Sequence, residues 1–158
     1  MILSLHSTTG ALLASNSNNI WQAILLGIIS HYFLDSIPHV EYKIESIQKG
    51  DWKLAIKEFA KIAIDLLTGL AIIIYLIQKK GFDHSILILV GSFSALIPDG
   101  LYFLDCCIKN KNRNIFTKFL KIHSAFHKKM HSAISEKIIT IPSQLLIVLL
   151  LIITLWYS

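Results

Sequence analysis

Charged residues are sparse in four long stretches of this chain, Ile20–Leu34, Phe59–Ile77, Ile86–Leu104 and Ile138–Tyr157, and this distribution limits what it can fold into. A helix rises 1.5 Å per residue, so about 20 apolar residues cross the ~30 Å of hydrocarbon in a bilayer. The last stretch fits that length most clearly, and Ile20–Leu34 is short for a crossing on its own. In a chain of 158 residues, 54% hydrophobic content exceeds what a soluble domain needs for its core, so the excess is expected to face lipid. The expectation is one all-α integral membrane domain over 1–158, a polytopic helical bundle.

Turn residues divide the bundle. Ser15-Asn16-Ser17-Asn18-Asn19 separates Ile2–Ala14 from Ile20–Asp35, which reads as an antiparallel helical hairpin whose first arm, about 2–14, enters only part of the bilayer. A polar stretch over 36–58 follows, opened by the helix-breaking Pro38. Membrane segments at 59–77 and 86–104 are joined by Lys79-Lys80-Gly81, and a second polar stretch at 106–137 leads to the final segment at 138–157. The basic residues test this layout independently. Five lie at the first polar stretch (Lys43, Lys49, Lys53, Lys57 and Lys61) and eight at the second, against Lys79 and Lys80 on the other side. By the positive-inside rule, both polar stretches and the N-terminus are expected at the cytoplasmic face of the inner (cytoplasmic) membrane.

The net charge of +5 fits a phospholipid surface better than nucleic acid, because the basic residues flank apolar segments. No nucleic-acid partner is expected. Met1–Ala14 lacks a basic start and a small-residue cleavage site, so it is not read as a removed signal peptide. The adjacent Cys106 and Cys107 read as packing at the membrane edge. Gly-rich nucleotide loops, a Gly-x-Ser-x-Gly elbow and Cys-x2-Cys pairs are absent.

The chemistry lies in the histidines and aspartates. On this layout His6, His31, His39, His123, His127 and His131 share the cytoplasmic side, and His84 alone lies across the membrane. Asp35, Asp65 and Asp99 fall within or at the ends of apolar segments on that same side, where a carboxylate costs several kcal/mol unless it is paired or solvated. A cation offsets that cost. His31 and Asp35 are spaced i, i+4 and project from one helix face, and Pro38-His39 turns a third donor back toward them. His123, His127 and His131 repeat the four-residue step, a pattern that also suits an interfacial amphipathic helix. Pro98 is expected to break its helix and aim Asp99 into the protein.

Ser30-His31-Tyr32-Phe33-Leu34-Asp35-Ser36-Ile37-Pro38-His39, with His6-x2-Thr9-Gly10 upstream and Pro98-Asp99 and Phe126-His127-x3-His131-Ser132 downstream, resembles the small bacterial inner-membrane metal-dependent hydrolases. That family is distantly similar to zinc-dependent phospholipase C and the P1-type nucleases. The resemblance implies a helical His/Asp cage for a divalent ion, zinc or else manganese. Such an ion acidifies a bound water and polarises a phosphoryl oxygen, as phosphoester hydrolysis requires. The expected metal-binding set is His6, His31, Asp35, His39, Asp65, Asp99, His127 and His131, with Asp35, Asp99 and His39 in catalytic roles. The substrate class would be a small-molecule or lipid phosphoester, such as a membrane phospholipid headgroup, with Lys128 and Lys129 steering its phosphate.

The alternative is a non-catalytic metal-binding or transport protein. Against a passage, Leu70–Leu76 and Ile86–Val90 are nearly all aliphatic. The layout has a direct test: thiols introduced at Ser46 and at Asn112 will react with a membrane-impermeant reagent from the same side, and labelling from opposite sides would contradict it.

Overall fold

The computed structural model describes residues 3–37, 39, 45–49, 51–107 and 146–154, and every regular element among them is helical. These are α1 (Leu3–Ala14), α2 (Ile20–Asp35), the short α3 (Glu45–Lys49), α4 (Trp52–Lys80) and α5 (Ser85–Cys107), with residues 146–154 also helical.

Local chemistry fixes the connections. Ser15 N–H extends the ladder of α1 by donating to the Ala11 carbonyl at 2.9 Å, and the Ser17 hydroxyl donates to Ala14 O at 2.6 Å. The Asn19 side chain then accepts from Gln22 N at 2.9 Å, the N-cap bond that starts α2 where the turn residues predict it. At the other hairpin Gly81 ends α4 with φ 93°, a backbone region that favours glycine, and a 3-10 turn over Phe82–His84 leads into α5. Lys80 Nζ donates to Asn16 Oδ1 at 3.3 Å, so the two turns lie at one end of the molecule. The start of α1 and the ends of α2 and α5 lie at the other.

Two expectations need correction. Helix α4 begins at Trp52, so the 59–77 segment is the middle of a longer helix that takes in part of the supposed polar stretch. Asp51, accepting from Leu54 N at 3.4 Å, supplies its start. Pro98 does not break α5, which runs unbroken from Ser85 to Cys107. Proline removes one N–H from the ladder, and neighbouring turns carry the helix through. Among the described residues two helical spans, Trp52–Lys80 and Phe82–Leu104, are long and apolar enough to cross a membrane, whereas α2 is shorter. Pro38 and most of 106–157 lie outside the described residues.

The packing is inside-out by the standard of a water-soluble bundle. On α2 the stripe Trp21, Leu25, Ile29 and Phe33 is 54–80% exposed, while its buried face is Ala23, Gly27, Ser30, His31, Leu34 and Asp35. Helices α4 and α5 likewise present Leu67, Ile74, Phe93 and Ile97 outward. Leaving such side chains in water forfeits about 1.5–3 kcal/mol each, whereas lipid removes that cost and leaves close packing of small residues to join the helices.

Helix α5 packs on both α1 and α2 through glycines. A Cβ placed on Gly27 would lie 2.5 Å from the Gly91 carbonyl oxygen, and one on Gly10 would lie 2.6 Å from that same atom. Both neighbours are backbone, which cannot step aside. Below this contact Ala11, Ile73, Leu76 and Ile88 form an apolar cluster toward the turn end. Gly27→Ala is therefore expected to lower stability by about 1–3 kcal/mol through overpacking. Gly100→Ala, where an added Cβ meets nothing within 4 Å, should be neutral or slightly stabilising. Thermal unfolding in detergent distinguishes the two.

Candidate metal centre

The same stripes that bring the helices together carry polar groups one turn further on. His6 precedes Gly10 by four residues on α1, His31 follows Gly27 by four on α2, and Asp99 follows Gly91 by eight on α5. Residues four apart share a helix face, so glycine contact and polar cluster belong to one continuous seam.

At the centre is the Asp35 carboxylate, with its side chain 1% exposed. Its Oδ1 lies 3.3 Å from His6 Nε2, and its Oδ2 lies 3.0 Å from His31 Nε2. Asp99 Oδ1 approaches His31 Nε2 to 3.8 Å from α5. The two imidazole rings are 4.4 Å apart, centre to centre, and inclined by 32°. One donor atom each from His6, His31 and Asp99 falls within 4.8 Å of the others, a spacing that can hold a metal ion. Asp99, with its side chain 21% exposed, is the open edge of the cluster, since the side chains of His6, His31 and Asp35 are 0–1% exposed.

Hydrogen bonding sets the character of the cluster. His31 Nδ1 lies 2.9 Å from the Ala95 carbonyl oxygen, which can only accept, so Nδ1 carries the proton. In the neutral ring Nε2 then presents a lone pair toward carboxylate oxygens of Asp35 and Asp99. Lone pair and carboxylate repel unless a proton or a cation lies between them. A backbone carbonyl behind a ligand imidazole is also the usual means of fixing its tautomer and orientation at a metal. On the other ring, His6 Nδ1 is buried and has no hydrogen-bond partner among the described residues. His6, His31 and Asp99 form the group that could hold an ion, with the Asp35 carboxylate between the two imidazoles beside it. The Tyr32 and His31 rings stand nearly perpendicular, at 88°, with centres 5.3 Å apart.

Of the expected ligands, the structure thus gathers His6, His31, Asp35 and Asp99. Asp65 is placed elsewhere and is a correction: its carboxylate accepts from the Ser4 hydroxyl at 2.5 Å and from Ser4 N–H at 3.2 Å. It caps the first turn of α1, where free N–H groups and the positive end of the helix dipole favour an anion. His39 is buried, and its Nδ1 donates to the nearby Ile37 carbonyl at 2.7 Å; it is not among the three groups that converge within metal-binding distance. His127 and His131 lie outside the described residues, as do Lys128 and Lys129. Sequence reasoning missed Ser4 and the Ala95 carbonyl. A carboxylate in an apolar helix does call for donors, and a serine near a helix start is a natural one, whereas a backbone carbonyl leaves no trace in residue type.

No protein-family model, curated protein or solved structure matches this chain, so its function is argued from the site itself.

Replacing Asp65 with Ala strips Ser4 of its acceptor in a partly buried setting. The expected loss is about 1–3 kcal/mol, read as a lower melting temperature in detergent, with Ser4→Ala in the same background adding little because the two residues act as a pair.

Proposed function

We propose that this chain is a membrane-embedded, metal-dependent hydrolase acting on a phosphoester, with His6, His31, Asp35 and Asp99 holding a divalent ion, zinc or else manganese. One observation carries the reading: a solvent-excluded Asp35 carboxylate bridges two imidazole Nε2 atoms, with a second carboxylate at the open edge. When bound, the ion supplies Lewis acidity toward a phosphoryl oxygen and toward water. The chain's own groups do the rest. The Ala95 carbonyl holds His31 in one tautomer and orientation. Asp35 lies between both imidazoles and helps orient them, and the apolar cluster of Ala11, Ile73, Leu76 and Ile88 keeps water from reaching the site through the bundle.

Asp99 occupies the edge from which substrate and water can approach, and suits the work of accepting a proton there. His39 is close in sequence to Asp35 and is retained as a second candidate for acid–base work. A dry far half supports a one-sided pocket over a transport passage. The resemblance to small inner-membrane metal-dependent hydrolases supports the same reading, and the basic bias of the polar stretches argues for a multi-pass protein with its N-terminus and site at the cytoplasmic face.

Metal analysis of detergent-purified protein, coupled to hydrolysis of phospholipid and simple phosphodiester substrates, tests this. Wild type should bind about one equivalent of zinc or manganese, and His31→Ala and Asp99→Asn should lose most of it. Asp35→Asn and Asp99→Asn should lower hydrolysis by about 100-fold or more while the protein still inserts, and His84→Ala at the far turn should be silent. Metal-free wild type after zinc or manganese supplementation would overturn the metal site. Metal-loaded protein that cleaves none of these substrates would favour a binding protein instead.

A further inference from the structure

Helices α4 and α5 meet at the Gly81 turn and again where Phe59 and Phe103 pack edge to face at 6.0 Å. Between these contacts lies a cleft of about 140 Å³, walled by Leu66, Leu70 and Ile73 of α4 and by Leu89, Phe93 and Leu96 of α5. Ser7 of α1 forms part of its floor. The Ser7 hydroxyl donates to the Ser4 carbonyl at 3.0 Å, so the floor does not require water. Phe93 is 68% and Leu70 47% exposed, which opens the cleft outward between the two helices long enough to cross a bilayer. An apolar groove at that depth is filled by the solvent present there, which is hydrocarbon.

Its position is what ties it to the site. Leu89, Ser92, Leu96 and Asp99 succeed one another at three- and four-residue steps, so the α5 wall of the cleft runs directly into the open edge of the cluster. On α1, Ser7 of the floor is the next residue after His6. From Leu66 to Ile73 the cleft is roughly 10 Å long at 1.5 Å per residue, and it ends near the level of the carboxylates. A molecule with a hydrocarbon chain in the cleft and a polar group at its end would present that group at Asp99.

We propose that the cleft binds one acyl chain of a membrane phospholipid, whose phosphoester headgroup is thereby delivered to His6, His31, Asp35 and Asp99. The headgroup half of this assignment rests on the hydrolase reading; the chain half does not. Intact protein is reconstituted into phosphatidylethanolamine–phosphatidylglycerol vesicles containing a phospholipid with a photoactivatable diazirine in its chain, irradiated and mapped by peptide mass spectrometry. Adducts at Leu66, Leu70, Leu89 and Phe93 should exceed those at Leu25, Ile29 and Phe33 of α2, which are 54–65% exposed and line no part of the cleft, by about five-fold or more, a preference of roughly 1 kcal/mol. Filling the cleft by Ser92→Phe should bring them down to the α2 level. Leu70→Trp, at a half-exposed position that tolerates bulk, should do the same and covers the case in which Ser92→Phe fails to insert. Cleft adducts no more abundant than α2 adducts, or unchanged in Leu70→Trp, would overturn the assignment. Labelling needs neither metal nor turnover, so this failure is separable from loss of the hydrolase reading, which metal content and substrate cleavage decide.

Discussion

The near-contact of backbones at Gly10, Gly27 and Gly91 is the constraint on which the rest depends. Small residues let α1 and α2 reach α5 closely enough for short polar side chains to meet one turn away. Asp35 has one methylene between backbone and carboxylate and cannot reach far. With side chains in place of these glycines, the helices would separate and the 3.0–3.8 Å approaches among His6, His31, Asp35 and Asp99 would open. Packing and chemistry are thus one design along one seam.

That seam explains why burying charge is tolerated. A carboxylate deep in an apolar bundle is destabilising by several kcal/mol when alone, and the cost falls when partners converge with satisfied hydrogen bonds. The protein treats its two deep carboxylates differently. Asp65 is neutralised by donors at the start of a helix, a structural solution complete within the chain. Asp35 is met by two imidazoles, an arrangement that a proton or a cation between the groups would balance.

Much of this architecture was legible in the sequence. The Ser15–Asn19 turn and the length of Ile20–Asp35 give the bounds of α2, because polar turn residues interrupt an apolar run sharply. The convergence of His6, His31, Asp35 and Asp99 follows from placing each at the same end of an antiparallel layout, so depth in the membrane served as a coordinate. Depth gives no azimuth, which is why Asp65, at a similar depth but on another helix face, was grouped with them. Pro98 misled for a related reason: proline reports a missing hydrogen bond, while whether the helix continues depends on packing from its neighbours. The start of α4 at Trp52 was hidden because Lys53, Lys57 and Glu58 look like loop when read by charge alone.

Residues 146–154 add a temporal dimension. Leu151 packs on Leu5 and Leu34, the immediate neighbours of His6 and Asp35, with Ile147 alongside. All four converging side chains lie within the first 99 residues. A ribosome therefore delivers these four side chains before it has made the segment that packs on their flank. That flank is thus completed by a segment made after all four side chains, while the Asp99 edge stays open in the finished protein.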